Sequence, residues 1–339
     1  MQPLKDRPDA ERRQPRLSVV VLAWNTRELA VRCVQSIVEH CDLRITEVIV
    51  FDNASRDGTA TALRARFPDV RVIESERNLG TARGFNLAIK EARGDLILRM
   101  EADAFVQDGV IGRMANFMWA SPGVGMLGCE LRFPDGRHQH TPHRQMSMGL
   151  SALERFWLYK LLPERRRARI LLNGYWPADE PVVADWLAGI TMIRREAFDL
   201  TGGMDERFFL GGEESEWASR IQRSGYRIVY QPGLGVIYHV GSASWNQVWT
   251  DRGKLRRWHR VGIESYAAQH GRGGAAAYRF VEALGVLFRA TVYATINRFR
   301  PDEYYESQAR HYRMLFGLYL HLEELACDRR YREAAANHD

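Results

Sequence analysis

Four short runs rich in Val, Ile and Leu fall in the first third of the chain, at residues 17–23, 47–52, 70–74 and 95–100, and the stretches between them, notably 28–38 and 82–92, carry helical spacing. Strands that alternate with helices pair in parallel, and the helices cover both faces of the sheet. The alternation therefore predicts an α/β fold around a mostly parallel sheet with helices on both faces. In such sheets ligands sit beyond the carboxyl ends of the strands. Those ends are Trp24-Asn25, Asp52-Asn53 and Glu101-Ala102-Asp103.

Beyond residue 122 the rhythm changes. Residues 123–144 read as a hairpin, with Pro134-Asp135-Gly136 as its turn. Residues 151–172 set Phe156, Trp157, Tyr159, Leu161 and Leu162 among Arg165, Arg166, Arg167 and Arg169, a basic amphipathic segment. Residues 185–239 read as strand, helix, a helix with an acidic start, then two short strands between 226 and 239. From about residue 250 the pattern is helical to the end, broken by Pro301. The first sixteen residues, with Pro3, Pro8 and Pro15 and no apolar core, read as a disordered lead-in.

Composition narrows the partners. With 339 residues, 45% of them hydrophobic, one large core and an appended helical region are within reach. The formal charge of +6 suits an anionic partner such as a nucleoside diphosphate, a lipid phosphate or a membrane face, and does not require nucleic acid. Cys33, Cys41, Cys129 and Cys327 form no C-x-x-C pair, so neither a zinc knuckle nor a disulfide scaffold is indicated and a cytoplasmic setting is expected. The richest apolar stretch, 280–296, contains Glu282 and Arg289, so no membrane span is expected.

Two acidic clusters carry the chemistry. A buried apolar strand that ends in Glu101 and Asp103 must have its charge neutralised, and a hard divalent cation, Mg²⁺ or Mn²⁺, does so while keeping positions open for substrate phosphates. A solvated acidic loop would look the same from this tripeptide alone. Glu213, Glu214 and Glu216 open a helix after Gly211-Gly212; capping explains one acid there, and a carboxylate so held can also act as a general base.

In order along the chain come LSVVVLAWN (17–25), VFDNASRDGT (50–59), NLGTARGFN (78–86), Glu101-Ala102-Asp103, DWLAG (185–189), and GGMDERFF (202–209) followed by Glu213-Glu214. Together these resemble the family-2 inverting glycosyltransferases of GT-A fold, over roughly residues 17–244 and most closely the rhamnosyltransferase-like branch. The resemblance implies a catalytic domain over 17–249, with a nucleotide-binding half (17–122) and an acceptor-side half (123–249), followed by a C-terminal helical region (250–339). It also implies that Trp24 and Asn25 flank the base, Asp52 accepts a hydrogen bond from it and Arg83 faces the phosphates. Glu101 and Ala102 line the donor, with Glu101 at the ribose or behind the metal. Asp103 and His239 ligate Mn²⁺ or Mg²⁺; Asp185, Trp186 and Gly189 lie on the acceptor side; and Glu214, with Glu213 beside it, is the base. A structural histidine remains an alternative for His239, and Glu101 and Glu214 stand where the family more often has aspartate, so the base is to be chosen among Glu213, Glu214 and Glu216.

The implied reaction passes a sugar from a dTDP- or UDP-linked donor, dTDP-rhamnose among them, to a hydroxyl of a glycan or lipid-linked acceptor. A silent nucleotide-sugar-binding module is the competing reading. The histidines of His138-Gln139-His140 and His143 follow a hairpin turn, where period-two alternation explains them without zinc. On the tail, Phe280, Leu284, Leu287 and Phe288 share helical spacing beside Arg279, Arg289, Arg298 and Arg300. That pattern fits peripheral contact with an anionic membrane, and equally packing on the catalytic domain or in a homodimer.

Overall fold

A computed structural model describes residues 16–107, 109–172, 174–241 and 251–320, with backbone alone at 251–258 and 261. The expected lead-in, save Arg16, lies outside the described residues, as do Cys327 and the stretch 242–250.

The first half follows the expected alternation: β1 (Leu17–Ala23), α1 (Arg27–His40), β2 (Thr46–Asp52), α2 (Thr59–Arg66), β3 (Arg71–Glu74), α3 (Thr81–Glu91) and β4 (Leu96–Glu101). β1 pairs in parallel with β2 and β4, and β2 with β3. Covered on both faces, β1 and β4 are mainly apolar, as buried parallel strands must be, with Ser18 the one polar residue of β1. The exception within β4 is Arg99, a charged side chain only 2% exposed at the centre of the sheet.

There follow β5 (Ala104–Val106), α4 (Val110–Ala120), β6 (Val124–Gly128), β7 (Glu130–Arg132), β8 (His138–Gln139) and β9 (Pro142–His143). After an excursion through residues 145–175 come β10 (Val182–Ala184), β11 (Trp186–Leu187), β12 (Thr191–Arg194), α7 (Arg195–Thr201), α8 (Glu213–Arg223), β13 (Arg227–Tyr230) and β14 (Val236–His239). The large sheet has the order β10-β13-β6-β12-β4-β1-β2-β3. The expected parallel pairing holds for β3-β2-β1-β4 and for β6 with β13, while β12 runs antiparallel to both β4 and β6, and β10 to β13. The chain enters β12 from the side where β4 ends, Thr191 opposite Arg99, without a helical crossover, so β12 must run back. A second sheet, β5-β14-β7-β8, contains the expected hairpin: Gly136 donates to the Phe133 carbonyl at 2.9 Å across the turn between β7 and β8.

The chain divides into two compact units, Met1–Arg144 with Trp176–Val248, and Gln145–Tyr175 with Trp249–Asp339. The segment 145–175, assigned from sequence to the acceptor-side half, thus belongs with the C-terminal helices. The reason is chemical. Glu282, 3% exposed on α9 (Asp251–Phe299, interrupted at Gly271), is satisfied by Ser151 and Arg155 of α5 (Met148–Arg155), with Arg155 Nε donating at 2.9 Å. A short 3-10 turn and α6 (Glu164–Leu171) complete that excursion. α10 (Glu303–Leu320) follows the break at Pro301 and adds Tyr319, whose hydroxyl donates to Glu282 at 2.7 Å.

Candidate active site

β4 ends at Glu101, and β5 begins three residues later, so the acidic tripeptide lies at the junction of the two sheets. β14 lies against β5 with His239 opposite Ala104, and the Val240 amide donates to the Asp103 carbonyl at 3.0 Å. This pairing carries a histidine 136 positions away onto the acid pair. His239 Nε2 is 2.9 Å from Glu101 Oε2 and 3.2 Å from Asp103 Oδ1, and one donor atom from each of the three residues falls within 4.8 Å of the others.

The ring is held from behind. Its Nδ1 lies 3.0 Å from Gln139 Oε1, and Gln139 Nε2 donates to the His239 carbonyl at 2.5 Å. With Nδ1–H given to Gln139, the lone pair of a neutral imidazole is on Nε2, the tautomer a metal ligand needs. Nε2 is buried among the carboxylates yet makes no properly directed hydrogen bond, as expected of an atom aimed at a shared point between them. Two carboxylate oxygens and one imidazole nitrogen fit a divalent cation of the Mn²⁺ type. Without one, burial opposes charging the ring, but contacts with Asp103 and Glu101 outweigh it and push the His239 pKa up to about 10. Burial works against the Glu101 carboxylate too, and the His239 ring and Arg99 still hold it below its ordinary range. Glu101 thus stands within the same cluster as the expected ligands Asp103 and His239.

The three acids of α8 have separate surroundings. Glu216 forms a two-pronged pair with Arg220, at 2.7 and 2.6 Å, and Arg220 also donates to the carbonyl of Gly203, so both Glu216 carboxylate oxygens are engaged. Glu213 is 3% exposed. Glu214 is about a fifth exposed, and its Oε1 accepts from the Gly189 amide at 3.1 Å and from Arg99 Nη2. Gly189 adopts φ +76, a left-handed conformation that turns its amide toward Glu214 and its carbonyl toward Arg99. Burial raises the Glu214 pKa above its ordinary value; Arg99 opposes the rise and the charge of Glu101 adds to it.

The remaining residues expected at the site build its loops. Asp52, 1% exposed, accepts from the amides of Ser55 at 2.8 Å and Ala60 at 3.1 Å, so its carboxylate braces the turn after β2. Asn25, at φ +49, accepts from the Arg56 amide at 2.8 Å and so clips the β1 loop to the β2 loop. Trp24 stands half-buried at the end of β1, Ala102 is buried, and Arg83, in the first turn of α3, lies 3.6 Å from Glu206. Asp185 pairs with Arg144 at 3.1 Å, and the Trp186 ring stacks on His143 with centroids 4.2 Å apart. His138 lies 2.7 Å from Glu130, and the triad is the sole group of metal-ligand type among the described residues.

Two residues went unnoticed in the sequence. Arg99 had a signal, a lone cation inside an apolar strand. Gln139 had only its place between two histidines, since its task depends on β8 lying in the same small sheet as β14.

The mixed sheet, flanked by helices and joined to a smaller sheet, is the GT-A fold. The chain belongs to glycosyl transferase family 2, whose sequence profile matches residues 18–199. A second profile, described as N-terminal domain of galactosyltransferase, matches residues 183–242. The chain is 30% identical over 217 residues to an N-acetylglucosaminyl-diphospho-decaprenol L-rhamnosyltransferase of Mycobacterium tuberculosis, spanning 58% of this chain and 67% of that relative. It is 27% identical over 234 residues to the O-antigen biosynthesis protein RfbC of Myxococcus xanthus, covering 68% of this chain and 18% of that one. Among solved structures, a Pyrobaculum calidifontis mannosyltransferase in complex with GDP-Man and Mn²⁺ superposes with a TM-score of 0.50 at 21% identity, covering 99% of this chain and 89% of the other. The protein is thus a glycosyltransferase.

Proposed function

We propose that the protein transfers a deoxyhexose of the rhamnose type, with inversion, from a nucleoside diphosphate donor to a hydroxyl of a lipid-linked glycan. The carrying observation is the division of labour in the site: a carboxylate–carboxylate–imidazole triad at the end of β4, and a separate glutamate with one oxygen fixed and the other without a protein partner among the described residues. Glu214 Oε2 takes the proton of the acceptor hydroxyl as that oxygen bonds to the anomeric carbon, and the bond from that carbon to the diphosphate breaks, its electron pair leaving with the nucleoside diphosphate. Glu101, Asp103 and His239 would hold a divalent ion, which would supply positive charge against the leaving diphosphate oxygens. Gln139 keeps the His239 ring turned for that task. Trp24 and Asn25 stand at the end of β1 for the base, and Arg83 and Asp52 border the donor on the same side. The Trp186–His143 stack, beside Asp185 and Gly189, offers an aromatic face for the acceptor sugar. The rhamnosyltransferase named above supports both the donor class and a lipid-diphosphate acceptor.

A lipid acceptor places the enzyme at a membrane face. No described helix is long and apolar enough to cross a membrane. Phe280, Leu284, Leu287 and Phe288 are 38–63% exposed along one face of α9, and Arg298, five helical turns beyond Phe280, falls on the same line. Residues 145–175 and 249–339 hold 21 Lys and Arg against 13 Asp and Glu, so the chain's whole positive excess lies in this unit. That combination supports peripheral docking on anionic lipid. Flotation with anionic and with neutral vesicles tests it: binding to neither, or binding unchanged in Phe280→Ser/Phe288→Ser, rejects the docking face, and a concentration-dependent dimer lost in the same variant assigns that face to a second copy.

The transfer itself is tested by a panel of nucleotide sugars with Mn²⁺ or Mg²⁺ and a lipid-diphosphate-linked sugar acceptor, scored by release of nucleoside diphosphate. Release from dTDP-rhamnose, lost in Asp103→Ala, is the expected result. Donor binding with no release on any acceptor would overturn the proposal.

A further inference from the structure

A guanidinium at the centre of a sheet is costly unless an anion and hydrogen bonds answer it. Arg99 is such a group. Its Nη2 bonds to Glu214 Oε1 and to the Gly189 carbonyl, and its Cζ lies 5.0 Å from the Phe85 ring centroid. The Gly189 amide donates to the same Glu214 oxygen at 3.1 Å, so β4 and the Gly189 turn hold one edge of the carboxylate between them. Oε2 is left without a protein partner among the described residues.

We infer that Arg99 is a positioning residue for the transfer reaction: it fixes Glu214 with Oε2 presented to the acceptor hydroxyl, and the length of the glutamate is matched to its reach. Arg99 is anchored on a central strand and Glu214 on the first turn of α8, so neither end gives way easily. Aspartate at 214 is shorter by one C–C bond, about 1.5 Å, which draws its carboxylate back from a fixed guanidinium and loosens the pair. The pairing also keeps the base ionised. Burial and the charge of Glu101 favour its protonated form, and Arg99 is the cation that opposes them.

This inference rests on the transfer reading, and its test separates the two. Arg99→Met is expected to lower kcat about 100-fold with donor KM little changed. The acidic limb of its kcat profile moves to higher pH, because the cation that opposed protonation of Glu214 is gone. Glu214→Asp should lose a similar factor, and Arg99→Met/Glu214→Asp should be no slower than the slower single variant, since both changes abolish one arrangement. Arg99→Lys, with charge but no planar fork, should recover part of the rate. Additive losses with an unmoved acidic limb would reduce Arg99 to a structural role and overturn the inference.

Where Arg99→Met does not fold, Arg99→Gln replaces it. Carbon-13 NMR of the Glu214 carboxyl, assigned through its loss in Glu214→Gln, reads the same coupling with no substrate present. An upward-shifted titration in the uncharged variants is expected, and an unshifted one overturns the inference. A parent protein that turns over no donor while this titration still shifts would sink the transfer reading alone and leave the pairing standing.

Discussion

Glu214→Gln tests the proposed base with little change of shape. Glutamine has the same length, so its amide oxygen can accept from the Gly189 amide and from Arg99 as Oε1 does. Its amide nitrogen then stands in place of Oε2 and cannot accept a proton. General-base assistance is typically worth about 10²–10⁴-fold, or roughly 3–5 kcal/mol of barrier. Burial raises the Glu214 pKa above 4.5, toward the pH at which a base is most effective, so the expected loss in kcat is about 10³-fold. Donor KM should stay within a factor of about three, because the triad is untouched. The substitution also leaves Arg99 facing a neutral partner at 2% exposure; Glu213 and Glu101 remain as nearby anions, which limits the stability loss to at most about 3 kcal/mol. Thermal melts fix a temperature at which both proteins are folded, and nucleoside diphosphate release is then followed against pH. The parent rate should fall as pH drops through the Glu214 pKa, and this limb should vanish in the variant. A variant that keeps more than about a tenth of the parent kcat, with the acidic limb intact, would show that the proton leaves by another route.

Other perturbations test the surroundings. Gln139→Ala frees the His239 ring to turn and should weaken Mn²⁺ affinity about 10–100-fold, read by metal titration, with the melting temperature of the metal-free protein little changed. Glu282→Ala leaves the Arg155 charge without its partner inside the helical unit and should cost about 3 kcal/mol in unfolding experiments. His259, whose Nδ1 lies 2.7 Å from the Tyr319 hydroxyl, is held by burial and by the charge of Arg155 at about 4 rather than 6.5. The unfolded chain therefore takes up a proton that the folded one refuses, so stability should be level above pH 6.5 and decline from there toward pH 4. His259→Gln should flatten that part of the profile in melts across the same range; an equal slope in the variant would assign it to another group.

Much of the first half was legible in the amino-acid order, because local signals sufficed. The apolar runs of β1 and β4 mark strands covered on both faces, and their ends mark where a ligand sits. The acidic start of α8 and the turn at Pro134-Asp135-Gly136 were readable for the same reason, each being set by residues a few positions apart. The antiparallel course of β12 was not legible, since nothing local says which way a four-residue strand runs. The segment 145–175 looked like part of the neighbouring domain until the buried charge of Glu282 claimed it.

The sequence by itself determined an α/β architecture, a pair of carboxylates at a strand end and a set of acids at a helix start, because periodicity and strand termini are local properties. The tertiary structure decided which partner each acid meets. Pairing of β14 with β5 put His239 on Glu101 and Asp103, and the packing of α8 against β11, β6 and β13 gave Glu214 to Arg99 while Arg220 took Glu216. Charge and hydrogen bonding act over a few ångströms, and only the folded chain brings residues 99, 189 and 214, or 101, 139 and 239, within that distance.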